Sequence, residues 1–264
     1  MGDKYHLDHV VILLPYSYLD SPPAWITDNF TISPGGRHGD NKTENRLILF
    51  RDGTYLELIA FINDDPEKRK GHWWDKPYGV VDYALGTKDD KLDYQDLIAR
   101  LDKTDTGLTY VEPKTGGRAR PDGVQLKWEV TFPKNIERGY IPFFCTDITP
   151  RENRVPLTRE NTRHPSGVLG MAGMVSEVKK EDLERLSTAT AAVLGSERKR
   201  NNEYQTGLPN EVEGMKQPTV MLRERKAESE KSLALTLLLQ TKDGGKRKDI
   251  SEKIDDGVVS IKFV

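Results

Sequence analysis

Three side chains near the amino terminus are of the types that bind divalent metal ions. His9 lies in the apolar stretch "YHLDHVVILL" (residues 5–14), Glu57 lies in "TYLELIAFI" (54–62), and His38 follows the two glycines of "PGGRH". Burying an unpaired carboxylate is costly, so Glu57 needs a cation, a metal or a hydrogen-bond network. Two imidazoles and one carboxylate can hold iron, zinc or manganese and leave positions open for water or substrate.

Each of these residues also has an ordinary structural interpretation. A single histidine in a strand is more often a core residue bonded to a backbone carbonyl or a carboxylate, which would account for His9. Glu57 could instead pair with Arg37 or Arg46, and His38 could simply be exposed in a glycine-rich loop. The occurrence of all three in one small unit is what favours a metal site.

These side chains belong to the first of three units that repeat a strand, helix, three-strand order. The first unit, residues 1–62, begins with a strand whose period of two places Leu7, His9 and Val11 on one face. A short helix is predicted in "SPPAWITDNF", after which "RLILF" and "TYLELIAFI" form strands. They are joined by "RDG", a strong hairpin sequence.

The second unit, residues 79–148, follows a charged connector that contains "GHWW". It is predicted to contain the strand "VVDYALGT", an amphipathic helix in "KLDYQDLIARLDKT", and the strands "VQLKWEVTF" and "YIPFFCTDI". The segments "PGGRH" and "TGGRAR" hold similar places in the two units, which indicates a duplication. Paired four-strand units face a common cleft, and the chemistry is expected there.

Residues 1–150 are thus predicted to form paired modules, and residues 151–264 a third, βαβββ-like region. This region has a helix in "KKEDLERLSTATAAVLG" with Gly195 as its C-cap, and long polar loops. The predicted fold class is α+β with paired βαβββ modules. The additional C-terminal α+β region would pack on the modules or help to make a dimer.

Composition excludes several classes of partner. The chain has 40 Lys plus Arg and 42 Asp plus Glu, and this balance gives no reason to expect nucleic acid as a partner. No apolar run approaches the roughly 20 residues that span a bilayer. The single cysteine, Cys145, cannot form an intramolecular disulfide, and the amino terminus does not resemble a signal peptide. We therefore expect a cytoplasmic protein with no membrane partner.

Three motifs in order, "LDHVVILLP", "SPGGRH" and "DGTYLELIAF", resemble the glyoxalase-like domain family of the vicinal oxygen chelate superfamily. The resemblance covers about the first 150 to 175 residues, and the later segments "IPFFCTDITPRENRVP" and "RHPSG" extend it to His164. It implies paired βαβββ modules that form a curved-sheet cavity, and often a divalent metal held by His and Glu from strands. Members of this superfamily include isomerases, extradiol dioxygenases, thiol transferases, epimerases and drug-sequestering proteins.

Carried over by motif, the resemblance assigns the first-strand histidine to His9 and the last-strand glutamate to Glu57. The second unit departs from the pattern because Tyr83 stands where a second histidine is expected. His38 or His164 must therefore complete any metal shell.

These observations together predict an enzyme of lyase, isomerase or dioxygenase type that acts on a small molecule with adjacent oxygens. Zn, Fe, Mn or Ni would be held by His9, His38 and Glu57. The candidate acid and base groups are Tyr83, His164 and Asp82.

The alternative is a metal-free protein that sequesters a small apolar ligand, with Trp73, Trp74 and Trp128 as stacking surfaces. A noncatalytic assembly module with a filled cleft is a third possibility. A homodimer is also possible.

Overall fold

The structure is a computed structural model that describes residues 4–88, 91–120, 122–225 and 233–264. The first repeat has the predicted order of elements, with the short helical region divided in two. Its bounds are β1 (Tyr5–Leu13), α1 (Ser17–Asp20), α2 (Ala24–Thr27), β2 (Ser33–Arg37), β3 (Thr43–Leu49) and β4 (Tyr55–Phe61). β4 pairs in parallel with β1 and antiparallel with β3. The predicted hairpin at Asp52-Gly53 is confirmed, with Gly53 at φ 81°.

The second repeat follows a connector that holds a 3₁₀ turn (Ile62–Asp64) and α3 (Pro66–Arg69). Its bounds are β5 (Gly79–Thr87), α4 (Tyr94–Asp102), β6 (Thr109–Tyr110), β7 (Lys114–Ala119), β8 (Gln125–Thr131), β9 (Pro133–Lys134) and β10 (Phe143–Asp147). Asp93 is the N-cap of α4, and its side chain accepts a hydrogen bond from the Asp96 N–H. β10 pairs in parallel with β5, as β4 does with β1.

The two repeats meet through the antiparallel pair β1–β5, and their sheet curves until its ends approach each other. The glycine-rich segments, which the sequence pattern placed in loops, are the end strands β2 and β7. Arg118 on β7 donates from Nη1 to the Gly35 carbonyl of β2 at 3.1 Å. The two similar "GGR" segments therefore face each other where the sheet nearly closes.

A short helix, α5 (Arg151–Arg154), leads into the C-terminal region. Its elements are β11 (Val168–Val178), α6 (Lys180–Leu194), β12 (Glu203–Gln205), β13 (Thr219–Glu224), β14 (Leu233–Thr241), β15 (Ile250–Ile254) and β16 (Gly257–Phe263). Gly195 ends α6 with φ 64°, as predicted.

The C-terminal region differs from the predicted single βαβββ unit because it consists of two shortened repeats. β11 pairs in parallel with β13, and α6 lies between these two strands in the chain. β14 pairs in parallel with β16, and β15 lies between them in the chain. β14 lies antiparallel to β11, as β5 does to β1. Sequence pattern marks strands but not the neighbours they choose, so this second pairing was not predicted.

One extended core joins all the repeats. Val10 of β1, Leu97 of α4, Leu186 of α6 and Ile261 of β16 belong to the same buried cluster. A smaller cluster on the concave side includes Val11, and this side faces the cavity described below. In the described ranges, none of the helices has both the length and the apolar character required to cross a membrane.

Candidate active site

A β-bulge at Asp8 turns His9 toward the concave side of the sheet. Leu7 pairs with Leu85 and His9 with the adjacent Ala84, so Asp8 is the extra residue. Leu7 consequently packs in the main core, whereas His9 lines the cavity. The prediction that Leu7 and His9 share a face is wrong, because a bulge shifts the alternation of side chains by one residue.

The imidazole of His9 is held in one orientation. Its Nδ1 lies 2.6 Å from Oδ2 of Asp8, and the Tyr55 ring stacks on it at 4.6 Å between centroids. Because an ionised carboxylate can only accept, Nδ1 carries a proton. The other nitrogen, Nε2, lies 3.8 Å from Oε2 of Glu57. Nε2, the ring nitrogen that remains for a metal ion, therefore faces Glu57.

Glu57 is a buried carboxylate between two imidazoles. Its Oε1 accepts a hydrogen bond from Nδ2 of Asn45 at 2.6 Å and lies 3.4 Å from Nε2 of His38. Burial raises the pKa of Glu57, but the hydrogen bond and charge of His38, the charge of His9 and the Asn45 hydrogen bond together lower it to about 2. Glu57 is therefore ionised at neutral pH.

A glycine of β2 makes this arrangement possible. A Cβ on Gly35 would lie 2.2 Å from Oδ1 of Asn45, so a larger residue would displace the Asn45 side chain. The same Oδ1 accepts the Gly36 N–H at 3.0 Å. The glycine pair thus holds the amide that donates to Glu57.

Behind His9, a buried ion network fixes Asp8. Arg154 of α5 donates to the two Asp8 oxygens at 3.0 and 3.2 Å, and Arg151 also donates to this carboxylate. Arg154 reaches Asp147 and the Tyr55 hydroxyl as well, each at 2.6 Å. Burial raises the pKa of Asp8, but the charges of Arg151 and Arg154 outweigh it and hold that pKa well below its usual range.

A cavity of about 760 Å³ opens beside His9 and Glu57. This volume is within the range of small-molecule sites. Its walls are largely aromatic, contributed by Trp73, Trp74, Trp128, Phe132 and Phe143. Trp128 and Val130 of β8 and the following Phe132 line it from one predicted face of "VQLKWEVTF". Apolar atoms contribute most of the exposed wall surface, as is typical of sites for partly apolar molecules, and charged side chains that include Asp40, Lys114 and Arg118 also line the cavity.

The connector "GHWW" supplies one of these walls. Nδ1 of His72 accepts the Trp74 N–H at 3.1 Å, and burial lowers the pKa of His72 to about 4. Trp74 is buried, whereas Trp73 is 45% exposed and packs against Phe132 with ring centroids 5.4 Å apart. The segment both fixes the connector and shapes the cavity.

Two sets of residues could hold a metal ion. Among the described residues, the set whose ligand atoms all lie within 4.8 Å of one another is Asp8, His9 and Cys145. Asp8 is already bound by two guanidinium groups, and burial raises the pKa of the Cys145 thiol, which keeps it protonated. The chemistry of this set is therefore unfavourable for a cation.

The set predicted from the sequence, His9, His38 and Glu57, is less compact, but its chemistry is better suited to binding a cation. His9 and His38 each direct Nε2 at the ionised Glu57 carboxylate, and Nδ1 of His38 is held 2.8 Å from Oγ1 of Thr43. Orienting groups on the second ring nitrogen are the usual support of metal-binding histidines. All three residues line the cavity.

The predicted acid and base groups lie elsewhere. Tyr83 is buried in the main core, and Nδ1 of His164 accepts the Thr31 N–H while Nε2 donates to the Leu49 carbonyl. Neither lines the cavity. Asp82 is buried beneath it, paired with Arg138 at 2.5 Å and with the Trp74 indole at 3.1 Å. Both of its partners line the cavity, so Asp82 supports a wall.

Sequence reasoning gave no role to Arg118, Arg154 or Asp8. Arg118 lies on β7 and lines the cavity, and the repeated "GGR" was the one pattern that could have drawn attention to it. Arg154 and Asp8 are 146 residues apart in the chain. No local sequence pattern predicts such a pair.

Paired βαβββ repeats joined by an antiparallel seam and curved around a cavity define the vicinal oxygen chelate class of proteins. The sequence profile of the family described as "Glyoxalase-like domain" matches residues 7–194, and the chain belongs to this family. The resemblance found in the sequence motifs is thereby confirmed. A comparison with curated protein sequences gave no match.

Solved structures with TM-scores above 0.5 have the same fold. A hypothetical protein from Staphylococcus aureus is 13% identical with a TM-score of 0.64, and the match covers 98% of this chain and 100% of that one. A xylose isomerase-like TIM barrel/4-hydroxyphenylpyruvate dioxygenase fusion protein is 9% identical with a TM-score of 0.51, over 93% of this chain and 38% of that one. Methylmalonyl-CoA epimerase from Mycobacterium tuberculosis is 19% identical with a TM-score of 0.31, over 47% of this chain and 77% of that one.

Proposed function

We propose that this chain is an enzyme that binds a small organic molecule with adjacent oxygens in the cavity beside His9. A divalent ion held by His9, His38 and Glu57 would activate that molecule. The observation that carries the proposal is an ionised, buried Glu57 flanked by two imidazole Nε2 atoms at the wall of an aromatic cavity. Two histidines and one carboxylate form a recurrent ligand set that would leave coordination positions open for water or substrate.

When bound, the ion would supply Lewis-acid stabilisation of negative charge on a substrate oxygen. The chain's own residues prepare this site. Asp8 keeps the proton of His9 on Nδ1, Thr43 orients His38, and Asn45 holds Glu57. The aromatic walls exclude water and hold the apolar part of the substrate, which strengthens electrostatic interactions within the cavity.

The reaction would be of lyase, isomerase or dioxygenase type, the types that the resemblance to the vicinal oxygen chelate superfamily implies. Zn, Fe, Mn and Ni all accept a set of two imidazoles and a carboxylate. The fold alone does not select among these chemistries.

A second candidate is a metal-free protein that sequesters a small ligand in the same cavity. Two observations favour it. Glu57 already has Asn45 and two imidazoles as partners. The second repeat offers Ala84, a residue without a ligand atom, opposite His9.

Metal analysis of the purified protein separates the two candidates. The enzyme proposal predicts roughly one ion per chain, bound by deprotonated ligands and removed by chelators. His9→Ala and Glu57→Ala should lose it, whereas His164→Gln, which changes a histidine outside the cavity, should keep it. Wild-type protein that takes up no Zn, Fe, Mn or Ni on titration would instead establish the metal-free interpretation.

A further inference from the structure

Arg118 is a buried guanidinium that has no acidic partner among the described residues. It is 7% exposed and lines the cavity, and the one hydrogen bond that it makes within the described ranges runs from Nη1 to the Gly35 carbonyl. The other arginines buried to this degree are paired: Arg138 with Asp82, and Arg154 with Asp8. Within the described ranges, no carboxylate lies within ion-pair distance of Arg118.

This isolation has an energetic consequence. Removing a charge from water is costly unless an opposite charge compensates for it. Burial accordingly lowers the pKa of Arg118, against weaker opposing effects of Tyr55 and Glu57. A planar guanidinium matches a carboxylate through two parallel hydrogen bonds, so an anionic ligand would supply the missing partner.

A flat apolar surface lies beside this charge. Gly116, two residues before Arg118 on β7, pairs with Trp128 of β8. A Cβ on Gly116 would be 2.6 Å from Nε1 of Trp128, so the glycine lets the indole lie against β7. Phe132 continues the wall. An aromatic ring is the group that such a surface holds best.

We propose that Arg118 is the anion-binding residue of the cavity and that the ligand is an aromatic carboxylic acid. Its carboxylate would bind Arg118 and its ring would lie against Trp128. This inference rests on the proposed function only in taking this cavity as the ligand site.

Phenylacetate and phenylacetamide test the inference because they differ in charge but little in shape. Binding is measured by calorimetry on chelator-treated protein, so that no carboxylate–metal contact contributes. Wild type should bind the acid about tenfold or more tightly than the amide, the scale of a charge-assisted bidentate contact. Arg118→Gln should reduce acid binding to the level of the amide.

Arg120→Gln is the matched control, because Arg120 lies two residues away, outside the cavity and paired with Asp122. It should keep the preference for the acid. Arg118→Lys keeps the charge but not the planar fork, so it should weaken acid binding several-fold and leave amide binding unchanged. If Arg118→Gln does not fold, the binding of acid and amide by Arg118→Lys tests the inference instead.

Equal binding of acid and amide by wild type, or a preference that persists in Arg118→Gln, would overturn the inference. So would the failure of both probes, and of benzoate and 3-phenylpropanoate, to bind. These outcomes are independent of the metal analysis. A protein without metal that still prefers the acid through Arg118 refutes the metal enzyme alone, and a metal-binding protein without this preference refutes the anion site alone.

Discussion

The properties of His9 are set by residues from distant parts of the chain. Asp8 fixes its tautomer, and Arg154 fixes Asp8 and the Tyr55 hydroxyl, whose ring stacks on His9. Each polar group in this network is the hydrogen-bond partner of the next, so removing one group leaves its neighbours buried with fewer partners. The chemistry of the site and the stability of the first repeat therefore depend on the same contacts.

Asp8→Asn should be strongly destabilising, because it removes the buried negative charge between Arg151 and Arg154 and leaves Asp147 as the acidic partner of both. We expect a loss of about 3–5 kcal/mol in the free energy of unfolding, measured by urea denaturation. Asp122→Asn is the control: its partner Arg120, 2.6 Å away, is partly exposed, and the expected loss is below about 1 kcal/mol. Similar small losses in both variants would contradict this account.

His72 should make stability depend on pH. Burial lowers its pKa to about 4 from its usual 6.5, so the folded protein resists a proton that the unfolded chain binds. Its contribution is present above pH 6.5 and is lost as the pH falls toward 4. His72→Gln, which retains an acceptor for the Trp74 N–H, should show a smaller decrease in unfolding free energy over this range. Parallel profiles for the two proteins would exclude this effect.

At the scale of elements, two local features position the site. The bulge in β1 turns His9 to the cavity, and the β3–β4 turn is anchored to the C-terminal region. In that turn, Asp52 accepts from the Thr54 N–H and hydroxyl through Oδ1, and from the Met171 N–H of β11 through Oδ2. The hairpin that carries Glu57 is thereby tied to the first C-terminal repeat.

Asp52, which anchors this turn, should contribute to the free energy of unfolding with a pH dependence opposite to that of His72. Burial raises the pKa of Asp52 to about 6 from 3.8, so between these values the folded protein binds a proton that the unfolded chain has lost. The contribution of Asp52 to the free energy of unfolding therefore falls as pH rises from about 4 to about 6. Asp52→Asn should lack this decrease in urea denaturation, and at neutral pH it should lose about 1–3 kcal/mol through the unsatisfied Met171 N–H.

The exposed Asp40 provides the comparison for Asp52, because it also accepts a backbone N–H in a turn, that of Lys42 at 3.0 Å. Asp40→Asn should retain the decrease between pH 4 and pH 6 that is assigned to Asp52. If Asp52→Asn kept the wild-type slope between pH 4 and pH 6, another group would be its source.

At the scale of the whole molecule, the repeats share one sheet and one core. β16 joins β5 at Val258 and Gly79, and α4 and α6 contribute Leu97 and Leu186 to the same cluster. Domains that share a continuous core unfold together. The predicted homodimer stays a prediction.

Leu186→Ala tests this cooperativity. All four tryptophans lie between residues 25 and 128, outside the C-terminal region that contains Leu186. We expect a loss of about 2–5 kcal/mol, seen equally by tryptophan fluorescence and by far-UV circular dichroism. A fluorescence transition that matches wild type while circular dichroism shifts would mean that the C-terminal repeats unfold separately.

The sequence by itself determined the paired repeats, the Asp52-Gly53 hairpin, the helix that ends at Gly195, and the aromatic face of β8. Each of these depends on neighbours within a few residues, where periodicity and turn chemistry act. The types of residue at positions 9, 38 and 57 also indicated a polar site among apolar strands, and the structure brings these three side chains together.

Only the tertiary structure decided which side chains the cavity contains. The bulge at Asp8 depends on pairing with β5, and the pairing of Arg154 with Asp8 spans 146 residues. Tyr83 and His164 lie outside the cavity because strand register and packing assign their surroundings, and Arg118 enters it because β7 curves round to β2. Such contacts come from how the sheet closes, which no local periodicity encodes.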